Sequence, residues 1–211
     1  MSLLERINRP QDLHALSEEE LKAVAQEVRE HIIDTVGEIG GHFGANLGTC
    51  ELAVALHSLL DSPRDKILWD VGHQAYPHKI LTGRRDQLET IRKYGGLAPF
   101  CAIGESEHDI MGAGHASTSI GYAVGLKEGM KILGRPDAGK VVAVIGDGSM
   151  TGGVAFEAIH QAGGQGTPIV VVLNDNGMSI APNVGAMSRY FNRVRLNPKL
   201  WHTRESVEER L

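Results

Sequence analysis

Two polar turns in this sequence combine residue types that bind hard metal ions. Gly146-Asp147-Gly148 directly follows five apolar residues, and Asn174-Asp175-Asn176 follows a second apolar run. A carboxylate and an amide oxygen are suited to Mg²⁺ or Ca²⁺ and poorly suited to Zn²⁺. Because two side chains cannot fill an octahedron, Mg²⁺ would complete its shell with water and ligand phosphates. The two turns therefore indicate a site for a phosphorylated cofactor.

The residues after Asp147 are suited to holding that phosphate. Gly148 and Ser149, with glycines at 152 and 153, leave backbone N–H groups free at the predicted start of a helix. GDGSMTG also nearly matches the dinucleotide fingerprint, but a lone glycine motif is a weak signal. A nicotinamide fold would place an acidic residue about 20 positions further on. Asp175 comes 28 residues after Asp147, so the dinucleotide interpretation is not favoured.

The apolar patterns predict an α/β fold, a parallel sheet flanked by helices. Residues 141–145 form an unbroken apolar run typical of a strand buried on both faces, and residues 169–173 repeat the pattern. A glycine turn and a helix separate the two runs, which makes a βαβ unit with parallel strands. Residues 67–69 predict a shorter strand, and Ser17 with Glu20 predicts a capping box that starts the first helix.

Three glycines recur at every fourth position of the helix predicted after Ser117. Gly121, Gly125 and Gly129 lie along one helix face, and each costs about 1 kcal/mol relative to alanine. They predict either the close approach of a neighbouring backbone or room for bulky neighbours across the sheet. In both cases we expect this helix to be deeply packed.

Composition excludes several classes of protein. The 211 residues are 42% hydrophobic and 22% charged, which excludes intrinsic disorder. A net charge of −5 argues against a nucleic-acid or polybasic membrane surface, and no apolar run approaches the roughly 18 residues of a membrane span. Cys50 and Cys101 indicate neither a disulfide framework nor a zinc site. Without a visible signal or transit peptide, we expect a bacterial, cytoplasmic protein.

Asn176 follows Asp147 by 29 positions, and this pairing resembles the thiamine diphosphate binding motif of transketolase-like enzymes. The flanking segments narrow the resemblance: GGHFGANLGTCEL, WDVGHQAYPHKILTGRRD, GESEHDIMGAGHASTSI, VIGDGSMTGG and LNDNGMSIAPNVGAMS. In that order they are similar to the 1-deoxy-D-xylulose-5-phosphate synthase family, from about Leu13 to about Arg195. HQAYPHKILTGRRD and NDNGMSI separate this family from ordinary transketolases.

The resemblance implies roles for individual residues, with thiamine diphosphate and magnesium as cofactors. Asp147 and Asn176 would bind magnesium through their side chains and Met178 through its backbone carbonyl, while Asn176 would also contact the cofactor. The diphosphate would be held by Gly148 and Ser149. The other side of the cofactor would be lined by His73, Gly114, His115 and Ala116, with Ile180 near the aminopyrimidine. His42 would point at the reacting carbon and assist proton transfers.

The implied reaction is the decarboxylative condensation of pyruvate with glyceraldehyde 3-phosphate, the first step of the methylerythritol phosphate route to isoprenoids and a source of thiamine and pyridoxal precursors. The implied enzyme is a homodimeric transferase. Residues 1–211 would form an incomplete N-terminal diphosphate-binding domain, without the activating (pyrimidine-binding) and C-terminal domains. We therefore expect the chain alone to be inactive. Two alternatives stay open: part of another transketolase-like enzyme with a different donor or acceptor, or a non-catalytic cofactor-binding module.

Other polar residues have plainer interpretations. His57, His78 and His160 are expected to be helix-surface residues or hydrogen-bonded core groups. Glu105-Ser106-Glu107 could offer a carboxylate pair for acid–base chemistry, but successive acids on an irregular segment favour a solvated loop. Arg84-Arg85 could bind an anion, or could pair with Asp86 and a helix end.

Overall fold

A three-stranded parallel sheet forms the centre of the chain. The computed structural model describes residues 2–175 and 183–198, with strands β1 (Lys66–Trp69), β2 (Val141–Gly146) and β3 (Val170–Asn174) in the order β1-β2-β3. In the parallel ladders Trp69 lies opposite Val144, and Gly146 lies opposite Asn174. The predicted α/β fold with a parallel sheet flanked by helices is confirmed.

Seven α-helices are present in the described part of the chain. They are α1 (Glu18–Ile39), α2 (Phe43–Leu47), α3 (Cys50–Leu59), α4 (Tyr76–Lys79), α5 (Ser119–Ile132), α6 (Gly153–Gln165) and α7 (Gly185–Arg195). The predicted capping box of α1 is confirmed, because Glu20 N donates to Ser17 Oγ at 3.3 Å and Ser17 N donates to Glu20 Oε2 at 2.8 Å. Among the described residues, no helix has the length and apolar character that crossing a bilayer requires.

Strand β2 is buried because both faces of the sheet are covered. Val142 and Val144 pack in the cluster that contains the buried face of α1, whereas Ala143 and Ile145 pack with the buried face of α5 and with Ala155. Successive side chains of a strand point to opposite faces. Because β2 contributes side chains to an apolar core on each face of the sheet, all of its residues must be apolar, as the sequence predicted.

Strand β3 departs from that expectation. Val170 is 51% exposed and Leu173 is 38% exposed, although both belong to a run as apolar as β2. In the described structure β3 pairs with β2 alone and forms an edge of the sheet. The apolar pattern indicated a strand correctly, but the prediction of burial on both faces is wrong for the part of the chain described.

The glycine face of α5 is open rather than deeply packed. A Cβ added at Gly125 or Gly129 would meet no described atom within 4 Å, and one at Gly121 would meet only Ala158 Cβ at 3.9 Å. Leu133, just beyond the helix, is 75% exposed. The predicted deep packing is therefore wrong for this face within the described residues, since α5 uses its other face, with Ile120 and its neighbours, to reach the core.

Candidate functional site

A cavity of about 690 Å³ lies at the carboxyl ends of the three strands. This is where open parallel sheets bind their ligands. The predicted site residues that line it are His42, His73, Ala116, Asp147, Gly148 and Ser149. They come from segments far apart in sequence, and the sheet brings them to one edge.

The remaining predicted site residues divide into two groups. Gly114 and His115 lie in the same loop as Ala116 and are exposed, but they are not among the residues that line the cavity. Asn176, Met178 and Ile180 lie outside the described residues. The roles of these five residues stay predictions.

Asp147 is the buried carboxylate of the cavity. Its backbone N–H donates to the carbonyl of Asn174 at 3.3 Å, and its Oδ2 accepts a hydrogen bond from Asn183 Nδ2 at 2.6 Å. Burial, together with the neighbouring carboxyl of Asp175, raises the pKa of Asp147, and the bonds from Asn183 and from the Gly148 N–H only partly oppose this.

The oxygen-rich surroundings of Asp147 fit a magnesium ion. A bound divalent cation would offset the raised pKa of Asp147 by stabilising its ionised form. Carboxylate and amide oxygens are also the ligand types that Mg²⁺ prefers. Sequence reasoning gave Asn183 no role, although it lies within the segment LNDNGMSIAPNVGAMS that carries the family resemblance.

Asp70 connects the turn after β1 to the loop that carries Ala116. Its Oδ1 accepts a hydrogen bond from Ser117 N at 2.9 Å and its Oδ2 one from Ser119 N at 3.0 Å. Ser119 is the first residue of α5, where helix donors lack intrahelical partners, and Ser117 lies just before the N-cap Thr118. A buried carboxylate there also faces the positive end of the helix dipole. Asp70 therefore fixes one wall of the cavity.

His42 and His73 lie edge to face, and both line the cavity. Their ring centroids are 5.5 Å apart with an interplanar angle of 77°, and the Nδ1 atom of each ring is buried without a hydrogen-bond partner in the described structure. Burial lowers the pKa of both imidazoles; Arg92 lowers that of His42 further, and His42 lowers that of His73 further. Both rings are thus held in the neutral form near pH 7, in which a ring nitrogen can accept a proton or a hydrogen bond.

His57, His78 and His160 lie where the sequence predicted them, in the core or on a helix surface. His57 and His78 are completely buried, with His57 Nε2 2.9 Å from His78 Nδ1 and His78 Nε2 3.1 Å from Asp109 Oδ1. They are hydrogen-bonded core groups. His160 is exposed on α6.

A buried ion-pair cluster replaces the solvated loop that the sequence favoured around Glu105. Arg84 donates to Asp109 at 2.8 and 2.9 Å and to Glu105 at 2.7 Å, while Lys79 also pairs with Glu105. The expectation for Glu105 is therefore wrong. Arg84 is likewise neither a free anion site nor a partner of Asp86, which pairs with Arg85 instead.

His78, Cys101 and Asp109 place potential metal-binding atoms within 4.8 Å of one another. However, the carboxylate of Asp109 already accepts hydrogen bonds from Arg84, His78 and the Ala102 N–H. Burial also raises the pKa of the Cys101 thiol to about 12, and the thiolate is the form that binds metals. This cluster is better explained as a structural network.

Comparison with known proteins agrees with this geometry. Residues 4–211 match the sequence model of the family described as 1-deoxy-D-xylulose-5-phosphate synthase. The chain is 56% identical, over 99% of its length, to the 1-deoxy-D-xylulose-5-phosphate synthase of Thermomicrobium roseum, of which it covers 33%. It is 52% identical to that of Halothermothrix orenii and 51% identical to that of Syntrophomonas wolfei, in each case over 98% of the chain and 32% of the relative.

The chain therefore belongs to the 1-deoxy-D-xylulose-5-phosphate synthase family, which confirms the resemblance seen in the sequence. It spans about a third of the length of the curated relatives it matches.

Proposed function

We propose that this chain supplies the magnesium- and diphosphate-binding half of a 1-deoxy-D-xylulose-5-phosphate synthase active site. The complete enzyme would condense pyruvate with glyceraldehyde 3-phosphate, with loss of carbon dioxide. The observation that carries the proposal is the single cavity in which Asp147, Gly148 and Ser149 lie together with His42 and His73. The relatives named as this synthase support the same assignment.

Asp147 would bind magnesium together with the side chain of Asn176 and the backbone carbonyl of Met178. Gly148 and Ser149 would receive the diphosphate, which the ion would also contact. The start of α6 follows directly, and the free N–H groups at the start of a helix favour phosphate oxygens. This arrangement anchors thiamine diphosphate through its charged end.

Thiamine diphosphate, when bound, supplies the electron sink that decarboxylation of a 2-oxo acid requires. His42, neutral and facing the cavity, would accept and return a proton at the reacting carbon. The opposite side of the cofactor would be bounded by His73, Gly114, His115 and Ala116, with Ile180 beside the aminopyrimidine. The largely apolar cavity wall, which includes Phe100, would exclude water from the reacting centre.

Other parts of the active site would lie in the remainder of the enzyme. We assign to it the glutamate that activates the aminopyrimidine and the basic residues that hold the phosphate of the acceptor. Residues 1–211 would then be an incomplete N-terminal diphosphate-binding domain of a cytoplasmic bacterial homodimer. Alone, the chain would bind cofactor without turning over.

Native mass spectrometry with added thiamine diphosphate and MgCl₂ tests the proposal. We expect a complex of the chain with one cofactor, formed with magnesium and lost when EDTA replaces it. Adding the remaining two-thirds of the Thermomicrobium roseum relative should then produce 1-deoxy-D-xylulose 5-phosphate from the two substrates. The control is the same addition with the Asp147→Ala chain.

Three outcomes would contradict the proposal. Failure to bind cofactor both alone and in the reconstituted mixture would refute the cofactor site. Use of ketose donors in place of pyruvate would favour a different transketolase-like enzyme. Cofactor binding without any activity after reconstitution would favour a non-catalytic module.

A further inference from the structure

Asn46 is a fully buried residue of α2 whose side-chain amide bonds three backbone groups. Its Nδ2 donates to the carbonyl oxygens of His42 at 2.5 Å and of His73 at 2.8 Å. Its Oδ1 accepts a hydrogen bond from Tyr76 N at 2.8 Å. Both amide hydrogens and the amide oxygen are thus used, which satisfies a buried amide well.

These three partners belong to different segments of the chain. His42 is the residue that caps α2 after the end of α1, His73 lies in the turn after β1, and Tyr76 begins α4. A single side chain therefore cross-links the two loops that carry the facing histidines. The contacts are to the backbone carbonyl oxygens of His42 and His73.

The imidazole rings have little else in the described structure to fix them through hydrogen bonds. The Nδ1 atoms of both rings are buried and without partners there, as noted above. Their edge-on geometry, with centroids 5.5 Å apart, must then follow from packing and from where the two backbones are held. Asn46 holds the backbone carbonyl of each histidine, in the same residue that carries the imidazole ring.

We propose that Asn46 is a positioning residue that sets the separation and orientation of His42 and His73 by holding their two carbonyl oxygens. The positioning role depends on the contacts of Asn46 alone, whereas the consequence for cofactor affinity rests on the proposed function. Loss of the amide frees both carbonyls at once, and a buried carbonyl without a partner favours rearrangement of its loop.

Thr49 offers a matched control three residues further along. It is also fully buried, and its Oγ1 donates to the carbonyl of Gln74 at 2.9 Å. Thr49→Val removes a hydrogen bond to the same turn after β1 and nearly preserves the shape of the side chain. It leaves the carbonyls of both histidines untouched.

The test is the nuclear Overhauser cross-peak between the imidazole protons of His42 and His73 in the isotopically labelled chain. We expect the cross-peak to be lost in Asn46→Ala and retained in Thr49→Val. A cross-peak of unchanged intensity in Asn46→Ala would overturn the proposal, and so would equal loss in both variants, because a general loosening of the turn would then suffice.

Asn46→Ser keeps the test decisive if the alanine variant does not fold. A serine hydroxyl carries one proton and cannot donate to both carbonyls, so the cross-peak should again be lost, and its retention would count against Asn46. If neither variant folds, scalar couplings across the hydrogen bonds from Asn46 Nδ2 to the two carbonyl carbons can be measured in the wild-type chain. Their presence supports the proposal and their absence overturns it.

A separate titration addresses the cofactor. With MgCl₂ present, we expect Asn46→Ala to weaken thiamine diphosphate binding on the order of tenfold, as loss of an outer supporting group commonly does, and Thr49→Val to weaken it less. If the wild-type chain binds no cofactor, the proposed function fails. The ring-to-ring measurement still decides the positioning role of Asn46.

Discussion

Ser117 and Gly152 approach so closely that no side chain fits between them. Ser117 adopts a left-handed backbone conformation with φ of 73°, and its Oγ donates to the carbonyl of Ser149 at 2.7 Å. A Cβ built on Gly152 would overlap Ser117 Oγ and lie 2.9 Å from Ser117 Cβ. The glycine after the GDGSMT stretch is therefore required by its contact with the loop before α5, in addition to any role in phosphate binding.

Gly152→Ala tests this contact. We expect it to destabilise the fold by about 1–3 kcal/mol, the usual cost of overpacking a filled site, and to weaken cofactor binding because Ser149 shifts with Ser117. Gly153→Ala is the matched control, because a Cβ at Gly153 meets no described atom within 4 Å. Urea unfolding of both variants compares them, and equal stabilities would contradict the close contact.

Asp147→Ala should abolish magnesium-dependent binding of thiamine diphosphate. The remaining predicted side-chain ligand, Asn176, offers a single neutral oxygen, which cannot replace a carboxylate for a hard dication. Isothermal titration with and without MgCl₂ measures the effect, with Asp137→Ala, at an exposed position, as the control. Equal affinity of the Asp147 variant and the wild-type chain would refute the metal assignment.

His42→Ala in the complete enzyme should slow turnover by about 10²–10⁴-fold, as expected for loss of an acid–base group. Cofactor affinity should change little, because the proposed anchoring is through the diphosphate and magnesium. Steady-state kinetics and cofactor titration separate the two effects. His160→Ala on the exposed face of α6 should leave both unchanged, and an unchanged rate for His42→Ala would make His42 a structural residue.

The buried pair of Arg84 and Asp109 predicts a pH-dependent stability. Burial tends to raise the pKa of Asp109, but hydrogen bonds from His78 and Arg84 outweigh it and hold the pKa well below its usual range. The pair therefore stabilises the fold fully above the unfolded-state pKa of about 4. This contribution is lost progressively as the pH falls below that value toward the folded-state pKa.

Asp109→Asn should cost about 3–5 kcal/mol at pH 7, the usual effect of breaking a buried ion pair. The difference from wild type should narrow as the pH is lowered from about 5 to 3. Asp86→Asn, which breaks the exposed pair with Arg85, should cause no measurable change. Urea unfolding between pH 3 and pH 7 measures the free energy of unfolding of each variant. A difference between Asp109→Asn and wild type that does not vary with pH would exclude Asp109 as the titrating group.

Local sequence patterns predicted the parts of the fold and site that depend on local chemistry. The run before Asp147 predicted both β2 and the position of its polar turn, because a strand buried on two faces must be apolar throughout. The family resemblance placed His42 and His73 near the cofactor; both line the cavity, and their roles toward the cofactor stay predictions.

Features that depend on partners distant in sequence could not be predicted in this way. Glu105 is half-buried and ion-paired because it meets Lys79 and Arg84, more than 20 residues earlier in the chain. Asn46 bridges residues that only the folded sheet brings together. The exposure of β3 and of the glycine face of α5 depends on what packs against them, which their own residue types do not specify.

The order of the sheet also has a consequence for how the chain folds. Val142 pairs with Val170, whereas Lys66 pairs with Val141, more than twice as far away in sequence. Since the entropic cost of closing a loop increases with its length, we expect the β2-α6-β3 unit to form before β1 docks. The long loop closed by β1 contains His73 and Ala116, so the walls of the cavity would assemble last. Pulse-labelling hydrogen exchange should then show protection of β3 before β1; the reverse order would contradict this sequence of events.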